Sequence, residues 1–272
     1  MDGAVQPHNE RAAAVWSSGG ETYDRVSYQI WAALEHCVQR LDPRPGERVL
    51  DLATGTGWTS RLLARRGAKV TGADIAADLL ASARARAAAE GLDIEYRIED
   101  AEKLSCPDAS FDAVVSTFGV MFASHPEAAA AEIARACRPG GRIGLVTWTP
   151  DGNVFEMFKV MRTYMPPPPT PPPPSPFEWG KPERISALLG SAFDLKFERG
   201  TCVYYDRNAE AAWEVFATGY GPTKTLAVNL DETRRADLRR DFIAFHNQFR
   251  TDLGIAVPRT YLLTIGVRTP LH

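Results

Sequence analysis

Residues 47–57 read Glu47-Arg48-Val49-Leu50-Asp51-Leu52-Ala53-Thr54-Gly55-Thr56-Gly57. Arg48 to Leu52 is a short apolar-rich run of strand character, and the Thr-Gly-Thr-Gly that follows leads at once into a helical pattern, Trp58 to Arg66. The order is strand, tight turn, helix. Glycine at 55 and 57 lets the backbone bend sharply and, having no Cβ, lets it approach a ligand closely. A ligand is therefore expected above the carboxyl end of this strand.

The glycines alone are an incomplete dinucleotide fingerprint, because Ser60 stands where Gly-x-Gly-x-x-Gly needs its third glycine. Two carboxylates sharpen the reading. Asp51 lies four residues before Gly55, and Asp74 ends the next strand-like run, Lys69 to Ala73, at roughly the 20-residue interval of an acid that hydrogen-bonds ribose hydroxyls. The alternation then continues. Asp78 to Glu90 is rich in alanine and arginine and predicts a helix ending at Gly91, Ile94 to Glu99 a third strand with Asp100 just beyond it, and Phe111 to Thr117 a fourth. Phe118-Gly-Val-Met-Phe122 is apolar and contains a glycine, so it is expected to pass close to the bound ligands. A helix over 126–138, the turn Arg138-Pro-Gly-Gly141 and a fifth strand, Arg142 to Trp148, follow.

Four segments, Val49 to Gly57, Val70-Thr-Gly-Ala-Asp-Ile75, Glu99-Asp-Ala-Glu-Lys-Leu104 and Phe111 to Trp148, resemble in order and spacing the class I S-adenosylmethionine-dependent methyltransferases. Within them the likeness is to the small-molecule branch that includes the ubiquinone and menaquinone biosynthesis methyltransferases. The resemblance covers about residues 45–150. It implies an α/β, Rossmann-like, seven-stranded, mostly parallel sheet with an antiparallel last strand and a helical cap insertion. It also implies S-adenosylmethionine as cofactor, held by Trp16, Tyr23, Asp51, Ala53, Thr54, Gly55, Gly57, Asp74, Ile75, Asp100, Ala101, Glu102 and Thr117. In that family Asp100 bonds the adenine amino group, Ala101 meets the ring through its backbone, and aromatic residues such as Trp16 and Tyr23 lie beside the methionine end.

Outside this core, residues 8–41 read as two helices joined by Ser17-Ser-Gly-Gly20, with Val26, Ile30, Ala33 and Leu34 at helical spacing in the second. Beyond Trp148, Pro166 to Pro176 contains nine prolines and reads as an extended loop. A short helix (182–189), a sixth strand (195–205), two helices (209–220 and 231–251) and a last strand (258–267) follow. The expected organisation is residues 1–44 as helices covering the cofactor, 45–150 as the cofactor-binding core, and 151–272 as the rest of the sheet with the proline-rich loop and a substrate cap.

Composition narrows the partners. A formal charge of -3 gives no basic excess for a nucleic-acid surface, and Ser116-Thr-Phe-Gly119 is no Asn/Asp-Pro-Pro-Tyr/Phe amino-methyltransferase signature. Four scattered cysteines without a Cys-x-x-Cys pair argue against a structural zinc or a disulfide framework and suit a cytoplasmic protein, and no metal is expected. No charged-then-apolar leader and no run of about 18 apolar residues is present, so neither a signal peptide nor a membrane span is expected. The pattern does not specify an oligomeric state.

Methyl transfer from a sulfonium is an in-line displacement that needs alignment and exclusion of water, and a base only when the acceptor must lose a proton. His125, after the fourth strand, and His246, among Phe242, Phe245 and Phe249, are the base candidates. The expected acceptor is a small aromatic or apolar metabolite, methylated on O, N or C. Alternatives are a phospholipid or amine N-methyltransferase, a nicotinamide-dependent oxidoreductase, and a binding protein that keeps the cofactor without turnover.

Overall fold

The computed structural model describes residues 4–170 and 172–270. Arg48–Leu52 forms β1, buried along all but its first residue, as a continuous apolar run must be when parallel neighbours flank it and helices cover both faces. Those neighbours are β2 (Lys69–Asp74) and β4 (Phe111–Thr117). Beyond them lie β3 (Ile94–Ile98) on one side and β5 (Cys137–Trp148) on the other. The sheet order is β3-β2-β1-β4-β5-β8-β6, where β6 is Phe193–Asp206 and β8 is Gly254–Arg268. β8 runs antiparallel to both β5 and β6. This seven-strand path is the one expected, and a two-residue strand, β7 (Arg250–Thr251), adds to β8.

Local chemistry explains several boundaries. Pro258 lies inside β8 and pairs with Val203 of β6, but β5 begins its pairing only at Tyr261. The missing proline N–H thus falls where β8 has a single neighbour in register. The Arg138 to Gly141 turn is folded into β5 rather than preceding it: Cys137 pairs with Phe111, the register then shifts, and Gly140 adopts φ +72°.

The amino-terminal helices are α1 (Glu10–Ser17), α2 (Tyr23–Tyr28) and α3 (Trp31–Leu41). The single helix expected over 23–41 is broken, because Ile30 leaves the helical region at φ −108° and turns toward the cleft described below. α3 buries Ala33, Leu34, Cys37, Val38 and Leu41, one stripe at helical spacing, against β5. α4 (Trp58–Arg65) and α5 (Ala77–Ala89) connect the early strands, and α6 (Pro126–Ala136) leads to β5.

The carboxyl-terminal half holds two helices that the sequence reading lacks, α7 (Asn153–Arg162) and α10 (Gly221–Asn229), besides α8 (Pro182–Leu189), α9 (Ala209–Gly219) and α11 (Glu232–Asn247). The helix expected to reach residue 251 stops at Asn247, since Arg250 and Thr251 turn back onto β8 through Gly254 at φ +133°. α1 packs on α10 and α2 on α9. The seam is close: a Cβ on Gly221 would lie 2.2 Å from the Val15 carbonyl oxygen, and one on Gly19 would lie 2.5 Å from that of Gly219. α1 and α2 thus form one layer with α9 and α10, while α3 packs on β5. No helix of the described residues is long and apolar enough to cross a membrane.

Candidate cofactor and acceptor site

The strand order reverses between β1 and β4, and a cleft of about 980 Å³, its open mouth included, lies over their carboxyl ends. Its floor is the turn after β1. Asp51, fully buried, accepts hydrogen bonds from Thr54 Oγ1 (2.6 Å) and Ser60 Oγ (2.7 Å). Ser60 at the third-glycine position thus supplies a hydroxyl that pins the turn. Burial raises the Asp51 carboxyl to about 6 against the lowering effect of those two hydrogen bonds.

Asp74 at the end of β2 grips the same turn. Its Oδ2 accepts from Gly55 N (2.8 Å) and its Oδ1 from Ala76 N (2.8 Å). Each oxygen keeps a lone pair, so the carboxylate can still receive hydroxyl donors. Burial pushes its pKa up, opposed by these backbone N–H groups and that of Ile75.

Two non-glycine residues take left-handed backbone conformations at the strand ends, Ala53 (φ +57°) and Phe118 (φ +60°), and both line the cleft. Such conformations cost on the order of 1 kcal/mol or more each and are held by their surroundings. Here Ser116 Oγ donates to the Leu52 carbonyl (2.7 Å) and accepts from Val120 N (3.0 Å), tying the two strand ends together. A Cβ on Gly119 would sit 2.3 Å from that of Ala53, so the approach requires glycine.

The other end of the cleft is closed by the segment before α1. Asp100 Oδ2 accepts from Gln6 N and Asn9 Nδ2, both at 2.9 Å, and Asp100 Oδ1 from Glu102 N at 3.0 Å. Ser124 Oγ donates to Asn9 Oδ1 (2.7 Å). At the lip, Glu102 Oε2 accepts from the rings of His8 (2.7 Å) and His125 (2.8 Å). Burial alone would raise Glu102. The His125 backbone N–H, both histidine rings and Asn9 outweigh it and hold the carboxyl at about 2. Three potential metal-ligating atoms converge in this trio, where the sequence reading expected no metal site; His125 Nδ1 also lies 3.1 Å from His8 Nε2.

Of the residues expected from sequence, Trp16, Tyr23, Ala53, Thr54, Gly55, Asp74, Ile75, Asp100, Ala101, Glu102 and Thr117 line the cleft together. Asp51 and Gly57 do not. Asp51 stands behind the turn, and Gly57, at φ +77°, faces Tyr96, whose hydroxyl would lie 2.4 Å from a Cβ there. Neither histidine lines this cleft. His125 precedes α6 with its ring turned outward to Glu102 and a side chain 61% exposed. His246 is fully buried in the cap, its Nδ1–H donating to the Phe242 carbonyl (2.8 Å) and its ring stacked on Phe242 at 4.3 Å.

Sequence reasoning missed Asn9, Ser27, Ile30 and Trp58 in the cleft, whereas Phe118, Gly119 and Phe122, from the segment expected to pass close to the ligands, do line it. The glycine within Phe118 to Phe122 was the signal for these last three. It also missed a second, smaller cavity that shares Trp16, Tyr23, Ser27, Ile30, Phe118 and Phe122 with the cleft and is completed by Val26, Trp148, Val154, Met157, Phe158, Phe216, Tyr220 and Arg259. The Tyr23 and Tyr220 phenols within it are pushed up, by burial first and then by the charge of Asp74 for Tyr23 and by the neighbouring Tyr23 for Tyr220, so both stay protonated donors.

A Gly-x-Gly turn at a switch point, with a buried acid 19 residues past Gly55 and hydrogen-bonded to it, is the nucleoside-cofactor cleft of a doubly wound α/β enzyme. A methyltransferase-domain family model matches residues 49–141. An uncharacterised Mycobacterium tuberculosis protein, Rv1405c, is 38% identical over 260 residues, 94% of this chain and 93% of that one. Demethylmenaquinone methyltransferase of Thermus thermophilus is 43% identical over 106 residues, 38% of this chain and 48% of that enzyme. The crystal structure of YcgJ from Bacillus subtilis matches with a TM-score of 0.60 at 19% identity, over 88% of this chain and 99% of that one. The chain belongs to the S-adenosylmethionine-dependent methyltransferases.

The residues present fit that cofactor. Gly55 adopts φ +58°, where a Cβ would meet only Tyr23, at 3.5 Å, across the cradle. Asp51 Oδ1 is buried without a partner behind the turn, and both Asp74 oxygens retain accepting capacity at the front of it.

Proposed function

We propose that the protein methylates a small, flat aromatic or apolar metabolite on O, N or C. The observation that carries this reading is the second cavity, whose shared wall with the cleft is aromatic and whose far wall is aromatic and aliphatic. S-adenosylmethionine, when bound, supplies an electrophilic methyl group on a sulfonium. Within this reading Asp74 holds the ribose hydroxyls, Asp100 and Ala101 border the adenine, and Trp16 and Tyr23, lining both cavities, flank the point of transfer. Their ring faces favour a cation and exclude water.

Apart from the two protonated tyrosines and Arg259, the second cavity carries no titratable side chain among the described residues. The chain's contribution is then alignment and desolvation, with the Tyr23 and Tyr220 hydroxyls as hydrogen-bond donors to the acceptor. His125 and His246 are not needed as bases on this account. A cytoplasmic setting is supported by four unpaired cysteines, and an acceptor other than nucleic acid by the charge of -3. Residues 1–44 serve as a cover for the cofactor on the 45–150 core, and 151–272 supply the rest of the sheet, the proline-rich loop and the helical substrate cap.

The reading is tested by calorimetric titration with S-adenosylhomocysteine, with NADH in parallel, followed by mass-spectrometric screening of hydroxylated and aminated aromatics for a gain of one methyl group. Micromolar binding of S-adenosylhomocysteine alone and methylation of at least one aromatic are expected. Methyl uptake confined to phospholipid or aliphatic amine acceptors would refute the aromatic assignment.

A further inference from the structure

Arg259 belongs to the segment of β8 that pairs only with β6, and it is 4% exposed. Its guanidinium stacks 4.2 Å from the Tyr204 ring centroid and 5.5 Å from that of Phe216. Among the described residues its side chain makes no hydrogen bond or ion pair, and Nη2 is buried without a partner. The other deeply buried arginine of the chain is treated differently. Arg61, 2% exposed, donates to the Thr56 carbonyl at 2.8 Å and lies 3.1 Å from Glu90.

An arginine cannot shed its proton to escape burial, and an unpaired buried charge costs several kcal/mol, which ring faces offset only in part. A fold that compensates Arg61 leaves Arg259 bare at one place, the wall of the cavity that adjoins the cofactor cleft. The side chain is rigidly shelved by aromatics, five donors point from a planar fork, and the surrounding wall is apolar. That is a receptor for a planar oxyanion carried on an apolar body.

We infer that the acceptor is an aromatic carboxylic acid whose carboxylate pairs with Arg259 while its nucleophilic atom faces the wall shared with the cofactor cleft. This rests on the proposed aromatic-acceptor reading and names the polar group of that acceptor. Arg259 fixes the acceptor's orientation: the anion goes to the β8 side and the reacting end to Trp16 and Tyr23.

The test uses the full chain saturated with S-adenosylhomocysteine and matched pairs of probes, hydroxybenzoate, hydroxycinnamate and hydroxynaphthoate against their carboxamides, titrated by calorimetry. At least one acid is expected to bind tenfold or more tighter than its amide. Arg259→Gln should abolish that preference and Arg259→Lys should restore part of it, while S-adenosylhomocysteine affinity in both variants stays within twofold of the wild type, which also establishes that they fold. Arg259→Met should melt at or above the wild-type temperature, because no ion pair is lost; a clear drop in melting temperature would mean that the arginine is structural. Equal binding of acid and amide, or a preference that survives Arg259→Gln, overturns the assignment and leaves the aromatic reading standing. Failure of every aromatic, acid or amide, to bind while S-adenosylhomocysteine binds overturns both.

Discussion

Asp74 joins two tasks at one carboxylate, ordering the turn through Gly55 N and Ala76 N and facing the cleft with its remaining lone pairs. Its replacement removes a charge-linked acceptor and frees the turn together. Asp74→Ala is expected to weaken S-adenosylhomocysteine binding by about 1.5–3 kcal/mol, measured by calorimetry on a variant with wild-type circular dichroism; unchanged affinity would remove Asp74 from the site. The spacing of Asp74 from the glycines was legible because it is local in sequence. Asp51 shows the limit of the same logic: its place in Asp-x-x-x-Gly-x-Gly marks the motif, but only the fold shows that its oxygen turns to Thr54 and Ser60 instead of the cleft. The histidines show the same limit, since nearness of His125 to β4 in the chain says nothing about where its ring points.

At the scale of elements, the segment Gln6 to Ser17 acts as a strap. Asn9 is 4% exposed and bridges Asp100 and Ser124, sites 91 and 115 residues away. Removing it leaves buried partners unsatisfied. Asn9→Ala should speed amide exchange across α1 by about tenfold and raise the dissociation rate of S-adenosylhomocysteine by a similar factor, read by hydrogen–deuterium exchange and stopped flow. Unaltered exchange in α1 would mean that the seam with α10 alone holds the strap. No sequence pattern announces these long-range bonds. The core strands, by contrast, were readable from apolar runs closed by glycine or acid. α7 could have been read too, since Val154, Met157 and Met161 are buried at helical spacing. α10 could not, because Gly221-Pro-Thr-Lys-Thr has no apolar stripe and is helical through packing on α1 and α9.

For the whole molecule, stability couples to pH through the cap. Burial first, and the nearby Arg259 charge further, bring the His246 pKa down to about 4 despite the Phe242 carbonyl. The native imidazole stays neutral where an unfolded one takes a proton below its ordinary 6.5. Its contribution is therefore intact above pH 6.5, declines as pH falls, and is fully lost near pH 4. Asp51, raised to about 6, acts in the opposite direction, so the informative quantity is the difference between wild type and His246→Phe. That difference should shift by roughly 2–3 kcal/mol between pH 7 and pH 4.5 in urea unfolding; a flat difference would place the proton uptake elsewhere. The same layered cover has a spectroscopic consequence. Trp58 lines the cofactor cleft alone, Trp148 the second cavity alone, and Trp16 both. Intrinsic emission should therefore change once when the nucleoside enters and again when the acceptor does, with Trp58→Phe dimming the first change and Trp148→Phe the second, so the protein carries its own optical record of the order in which its two ligands arrive.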